Sequence, residues 1–417
     1  MDDIPAGKEE TDVRIVCIAP YVPGELIGHA GGAFLHRYLG ALAEEHEVHL
    51  LAPESPDNIA FLPQTPKGVS VHVVDCRQPR GDSLQRRWWN ARNAARGLTP
   101  GWQVLQGFRR DRSARALIAS ADVVEIQWTQ MLALVDVLPE LRAVPVVAVA
   151  LDIVTQSFQR RAATASGRNR LILRWLTRRV GRQERRLLNS CVQLRVLSGK
   201  DARLAAAMGV RTPTDVIPPI LVGPAVPAPA GRPGVVACIG ALWRPENVDG
   251  LLWFAREVWP EVRRQRPAEQ LVLTGASPPA ELTALDGAHG IVVEGFRADL
   301  RPAFDRAGVF VVPLRQGAGI KVKVLEAMLH RLPVVTTQVG AEGIHDEAPP
   351  GAMLVAADGL GMAAMIVDLL EHAERRAAMA EAAWRWASVQ FAQARVEGRV
   401  RELYADGGRL SAQARSS

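Results

Sequence analysis

The sequence is poor in cysteine, has no long apolar run and lacks the usual dinucleotide fingerprint, and each absence excludes a class of protein. Cys17, Cys76, Cys191 and Cys238 lie far apart in or beside apolar strand-like runs, without metal-ligand spacing. They read as small buried side chains, not as a disulfide framework or a metal centre. No apolar run approaches the roughly 18 residues that cross a bilayer, and PVVAVAL at 145–151 has only the length of a strand. The opening MDDIPAGKEETD is acidic and polar, the reverse of a secretory signal, so the chain is expected in the cytoplasm. The first strand-to-helix turn, PYVPGELIGHAGGAFLH, contains no G-x-G-x-x-G, and no acidic residue follows where an adenosine ribose would be held. That argues against a nicotinamide-dependent dehydrogenase.

What is present is enough apolar material for two ordinary domain cores: 417 residues, 48% hydrophobic and 23% charged. Short β-rich runs alternate with helix-compatible segments twice over. VRIVCIAP, EVHLLAP, VSVHVVD, DVVEIQW, VPVVAVAL and CVQLRVLS fill the first half, and VVACIGA, LVLTGA, GIVVEGF, VFVVPL, PVVTT and AMLVA the second. This rhythm predicts an α/β chain with two Rossmann-like parallel-sheet domains. Between the halves, VIPPILVGPAVPAPAGRPG is rich in proline and glycine and continues neither element. The expected division is a domain over 1–218, a linker over 219–233, a second domain over 234–378, and a C-terminal helix with tail over 379–417.

The most informative stretch is 313–337, PLRQGAGIKVKVLEAMLHRLPVVTT. A strand runs into a glycine-containing loop and then into a helix expected to begin near Ile320. Gly317 and Gly319 let backbone approach a ligand closely, and the helix start aims free N–H groups and its positive dipole end at an anion. Lys323 and Glu326, three apart, share a helix face, whereas Lys321 and Glu326, five apart, do not. Lys323 is therefore the better candidate for an anion, and Glu326 suits paired ribose hydroxyls. A solvated amphipathic helix is the plain alternative.

This stretch, with VRIVCIAP near Val13 and QVGAEGI around Gly340, resembles the family 4 (group 1) glycosyltransferases, which share the GT-B fold. The resemblance implies two domains facing a cleft, a nucleotide-diphosphate-sugar donor as co-substrate, no further cofactor, and a C-terminal helix packed back on the first domain. It implies that the glutamate matching Glu326 binds the ribose. It also implies a donor-binding set of Gly31, Gly32, Arg244, Asn247, Gly295, Phe296, Arg315, Gly317, Gly319, Ile320, Lys321, Lys323, Leu325 and Glu326. The sequence departs from the family pattern in several places. Ala241 stands where many members have an arginine, and Asn247 lies close to the usual lysine. Ala318 occupies the position of the first glutamate of a spaced pair, and Leu151 that of a histidine near the donor sugar. Asp152 is the nearest polar residue to that histidine position, and joins Glu326 and Lys323 as a catalytic candidate; a helix-capping or turn role is its alternative.

Transfer from a nucleotide sugar develops oxocarbenium character, and a fixed positive field for the departing diphosphate is the largest help a protein can give. Lys323, the helix start and Arg244 are the expected sources. The resemblance implies retention of configuration. No Asp-x-Asp occurs, so no metal site is expected. The net charge of +6 is concentrated: residues 160–186 hold ten arginines and one acid, Glu184, interleaved with Leu171, Ile172, Leu173, Trp175 and Leu176. A second basic aromatic stretch, RRWWNARNAARG, begins at Arg86. Such stretches suit an anionic membrane surface, with no nucleic-acid motif accompanying them. The expected function is transfer of a sugar to a saccharide or lipid-linked acceptor in cell-envelope or exopolysaccharide synthesis, at the inner face of the membrane. The alternatives are a nucleotide-sugar-binding protein without transfer and an epimerase on the same fold.

Overall fold

The computed structural model describes residues 13–24, 30–76, 100–224 and 234–404. Its contacts define two units: one holds the first strand, Gly31–Pro218 and the chain from Val396 on, and the other is Pro219–Arg395. RRWWNARNAARG and residues 225–233 of the proline-rich segment lie outside the described residues.

In the first unit the described strands are β1 (Arg14–Ile18), β2 (Glu47–Pro53), β3 (Val69–Val74), β4 (Val123–Gln127), β5 (Val146–Ala150), β6 (Gln193–Val196) and β7 (Thr214–Val216). They form one sheet in the order β3-β2-β1-β4-β5-β6-β7, every pairing parallel. Covered on both faces, β4 and β5 are buried at every position, as a parallel sheet requires. One face of the sheet is apolar, with Val124, Ile126, Leu194 and Val196 in a single cluster. The other face holds a buried polar knot. The Glu125 carboxylate is ion-paired with Arg195 and accepts from Tyr38 at 2.8 Å and from Tyr404 at 2.6 Å. Arg195 also donates to both phenol oxygens, at 2.8 Å and 2.9 Å. Burying one ion pair is tolerable when further hydrogen bonds satisfy it, and here two tyrosines do.

The second unit has β8 (Val235–Ile239), β9 (Gln270–Thr274), β10 (Ile291–Gly295), β11 (Val309–Val312), β12 (Val334–Thr337) and β13 (Leu354–Ala356). Their order is β10-β9-β8-β11-β12-β13, again wholly parallel. Successive side chains take opposite faces. Val236, Cys238, Val309 and Val311 enter one core, and Ala237, Ile239, Phe310 and Val312 the other. The strand order turns around between β8 and β11, and the carboxyl ends at such a switch point are where open α/β sheets take ligands.

Three expected boundaries move. The helix near Ile320 begins at Val322, because Lys321 is its non-helical first cap at φ −97° and ψ 87°. Ile220 and Leu221 are buried, and Leu221 belongs to a core of the second unit, so the start of the expected linker is packed chain. A boundary at residue 379 falls inside helix Ala373–Gln390, whose Ala383 and Ala387 sit with Phe391 in that same core. The chain rejoins the first unit only at Val396, and helix Gln393–Arg401 spans the change.

Candidate active site

At the switch point of the second unit, two strand-to-helix loops meet. β8 ends in Gly240 to Arg244 and leads to helix Pro245–Trp253; β11 ends in Pro313 to Lys321 and leads to helix Val322–Leu329. A cavity between their ends is lined by Cys238, Gly240, Asn247, Pro313, Leu314 and Lys323. Asn247 is buried and fixed by its own helix turn: its Nδ2 donates to the Ala241 carbonyl at 2.7 Å. Its Oδ1 accepts from Lys323 Nζ at 2.8 Å. A Cβ at Gly240 would stand 2.8 Å from that same nitrogen, so a glycine here makes room for the ammonium. Enclosure lowers the Lys323 pKa to about 8, desolvation acting first and Arg244 adding repulsion, against attraction from Cys238, Glu246 and Glu326. The ammonium is thus short of counter-charge, which an incoming anion would supply.

Glu326 stands one turn further along the same helix as Lys323, half-buried. Lys321 makes no side-chain cap bond to this helix, and Val324 N donates to the Lys321 carbonyl at 2.8 Å; a helix start carries N–H groups that lack an intrahelical partner. Gly317 at φ +118° and Gly319 at φ +69° hold that loop in backbone conformations that favour glycine. Gly295, at φ +70°, ends β10 beside Phe296, which is 61% exposed.

Several other sequence candidates have partners within the second unit. Lys321 is buried, and its ammonium donates to the Ala318 carbonyl at 3.1 Å and the Gly319 carbonyl at 2.5 Å, with Glu342 at 4.0 Å. It braces the glycine loop from inside. Leu325 has no exposed surface and packs in the core with Ile320 against it. Arg315 is exposed, 3.5 Å from Asp249 and over the Trp253 ring at 5.8 Å. Arg244 is half exposed and paired with Glu246 at 2.8 Å.

Gly31, Gly32 and Asp152 belong to the first unit. The two glycines lie in the first turn of helix Ala30–Leu42. Asp152 follows β5. Helix Val154–Thr164 is capped by Glu184, which reaches across from helix Gly167–Leu188 to accept from Val154 N at 2.8 Å, Thr155 N at 2.9 Å and Thr155 Oγ1 at 2.5 Å. Burial pushes the Glu184 pKa up to about 7 against those hydrogen bonds, with Asp152 adding repulsion. Reading the sequence alone misses Gly240 and this use of Glu184. The signal for Gly240 was a glycine directly after an apolar strand; Glu184 stood out only as the single acid in a basic run.

Residues 233–372 match the family model "Glycosyl transferases group 1". The matched segment contains Gly240, Arg244, Asn247, Lys323 and Glu326. A protein from the capsule (cps) region of Klebsiella pneumoniae, described as an uncharacterized 44.6 kDa protein, is 30% identical over 116 residues. That stretch covers 26% of this chain and 30% of the relative's own length. Among solved structures, sucrose-phosphate synthase from Thermosynechococcus elongatus superposes with a TM-score of 0.69 at 16% identity, covering 94% of this chain and 98% of its own. The Anabaena protein HepE in complex with UDP-glucose gives 0.64 at 16% identity, over 94% and 100%. WaaG, a glycosyltransferase involved in lipopolysaccharide biosynthesis, gives 0.62 at 18% identity, over 93% and 99%. At these identities the superpositions establish the fold, two parallel-sheet α/β units of the GT-B class.

Proposed function

We propose that this chain is a glycosyltransferase that moves a sugar from a nucleotide-diphosphate donor to a saccharide or lipid-linked acceptor, with retention and without a metal ion. The observation that carries the reading is the enclosed Lys323 ammonium, anchored by Asn247 above Gly240 at the turn-around of the second sheet. In this reading the donor's diphosphate lies between Lys323 and the start of helix Val322–Leu329, and its ribose hydroxyls bond to Glu326. As the glycosidic bond breaks, negative charge grows on the diphosphate, and Lys323 with the helix start stabilises it. Arg244 supplies the second cation by exchanging Glu246 for phosphate. Lys321 contributes indirectly, by holding the loop 317–321 in shape. Gly295 with Phe296 would border the base. HepE was solved with UDP-glucose, which supports a nucleotide-sugar donor. The capsule-region relative and WaaG support a role in cell-envelope or surface polysaccharide synthesis. Among the described residues no helix is long and apolar enough to cross a membrane. We also propose that the chain is cytoplasmic and peripheral at the inner membrane face, on the strength of the basic stretch 160–186.

A panel of UDP- and GDP-sugars, read as nucleotide diphosphate release with and without acceptor and repeated in EDTA, tests this. Release that rises with acceptor and persists in EDTA is expected. Tight donor binding with no release under any acceptor would favour the binding-only alternative, the one to which Ala318 and Leu151 point. Interconversion of donor sugars without release would identify an epimerase. Loss of release in EDTA that manganese or magnesium restores would overturn the metal-free mechanism.

A further inference from the structure

Helix Gly167–Leu188 is packed at one end and bare at the other. Its buried residues, Val180, Glu184, Leu187 and Leu188, all lie in the C-terminal part. Along the rest, Leu173, Leu176 and Thr177 are partly covered and continue the same side of the helix at 100° per residue. Leu171 and Trp175 lie opposite and Ile172 on the flank beside them, exposed at 66%, 51% and 55%. A surface helix normally reserves that side for polar groups. Here Leu171 and Trp175 stand on it, with Ile172 at its flank, among Arg168, Arg178, Arg179 and Arg182, and the Arg179 guanidinium lies over the Trp175 ring at 5.5 Å.

Among the described residues the positive charge on this side is left largely without acidic partners. Glu184, the only acid of the helix, is turned inward as the cap of helix Val154–Thr164. Arg186 pairs with Asp136 at 2.6 Å, but among the described residues Arg168, Arg178, Arg179 and Arg182 have no acidic partner.

We propose that this outer face is a membrane-docking surface for anionic lipid, with Leu171, Ile172 and Trp175 entering the acyl boundary and the arginines engaging head-group phosphates. The composition selects this occupant. Leu171 and Ile172 offer nothing to a nucleic acid, which uses stacking rings and cations, but are the side chains an interfacial helix buries. A second copy of the chain would bring two faces of the same charge together. A lipid surface supplies both the anion and the apolar layer. The proposal specifies where the peripheral attachment in the functional reading occurs, yet lipid binding needs no donor and no turnover, so either can fail alone.

The test uses the full chain with vesicles of phosphatidylcholine alone or mixed with phosphatidylglycerol. Co-sedimentation with mixed vesicles and little with neutral ones is expected at low salt. Changing Arg178, Arg179 and Arg182 together to glutamine should weaken binding about a hundredfold, each arginine near an anionic surface contributing comparably. Changing Leu171, Ile172 and Trp175 to serine should leave the low-salt attraction but abolish the fraction that survives high salt. Because the four native cysteines are buried, an Ile172→Cys variant can be labelled with a polarity-sensitive dye, whose emission should shift to the blue on mixed vesicles. Wild type that ignores anionic vesicles at low salt, a dye that does not shift, or duplex DNA that displaces the vesicles would each overturn the proposal.

Discussion

Lys323 and Glu326 divide the work expected of the site, and their removal should show it. Glu326→Ala should weaken binding of the preferred nucleoside diphosphate and of the nucleoside alike. Lys323→Ala should weaken the diphosphate chiefly. Each loss should be about 1.5 to 3 kcal/mol by calorimetry, the range for a hydrogen bond to a charged group. Unchanged affinity in both variants would remove the central claim. The lowered Lys323 pKa adds a test of sign. Below about pH 8 the ammonium is charged, and above it the ammonium discharges while the ligand's phosphates remain ionised, so diphosphate affinity should fall as pH rises through about 8. Nucleoside affinity should stay flat, and Lys323→Arg should remove the fall, arginine remaining charged. The shared face of Lys323 and Glu326 was legible from their spacing. The fate of Lys321 was not: its ammonium turns inward only because the loop 317–321 folds back on itself at Gly317 and Gly319, placing two carbonyls within its reach. Asn247 was legible as a neighbour of a phosphate turn, but its bond to Lys323, from 76 residues away, belongs to the pairing of β8 with β11.

Helices and strands were more legible than their ends. Continuous apolar runs located the parallel strands because both faces of each are covered, and the switch point follows from their order, which no single run reveals. The helix junction at Glu184 shows what periodicity cannot see, a side chain of one helix capping another. Its consequence is a pH dependence. With the Glu184 pKa raised to about 7 from an ordinary 4.5, the folded chain holds a proton that the unfolded chain has released between those values. The stabilising share is therefore complete below about pH 4.5 and lost as pH rises through about 7, up to about 3 kcal/mol. Denaturant titrations at about pH 5 and about pH 8 should show that difference in wild type and a much smaller one in Glu184→Gln. A Glu184→Gln variant with the wild-type pH slope would show that the carboxyl is not what titrates.

At the scale of the whole chain, the knot at Glu125 and Arg195 is the feature most remote from sequence reading. Both residues interrupt apolar strands singly, 70 residues apart, and their second partner, Tyr404, is 279 residues from Glu125. Tyr404→Phe should destabilise the protein by about 1 to 3 kcal/mol, the usual range for leaving buried polar groups short of a partner. A thermal midpoint equal to wild type would show the knot to be satisfied without it. The position of Tyr404 also sets an order of events during synthesis. The first unit is interrupted by the whole of Pro219–Arg395, so its last buried partner leaves the ribosome after the second unit has been made. At ordinary elongation speeds of about 5 to 20 residues per second, the Glu125–Arg195 pair waits on the order of ten to forty seconds for that hydroxyl. During that interval the segment most able to mature is the inserted one, whose chain is continuous, and a nascent first unit depends on a tail not yet translated.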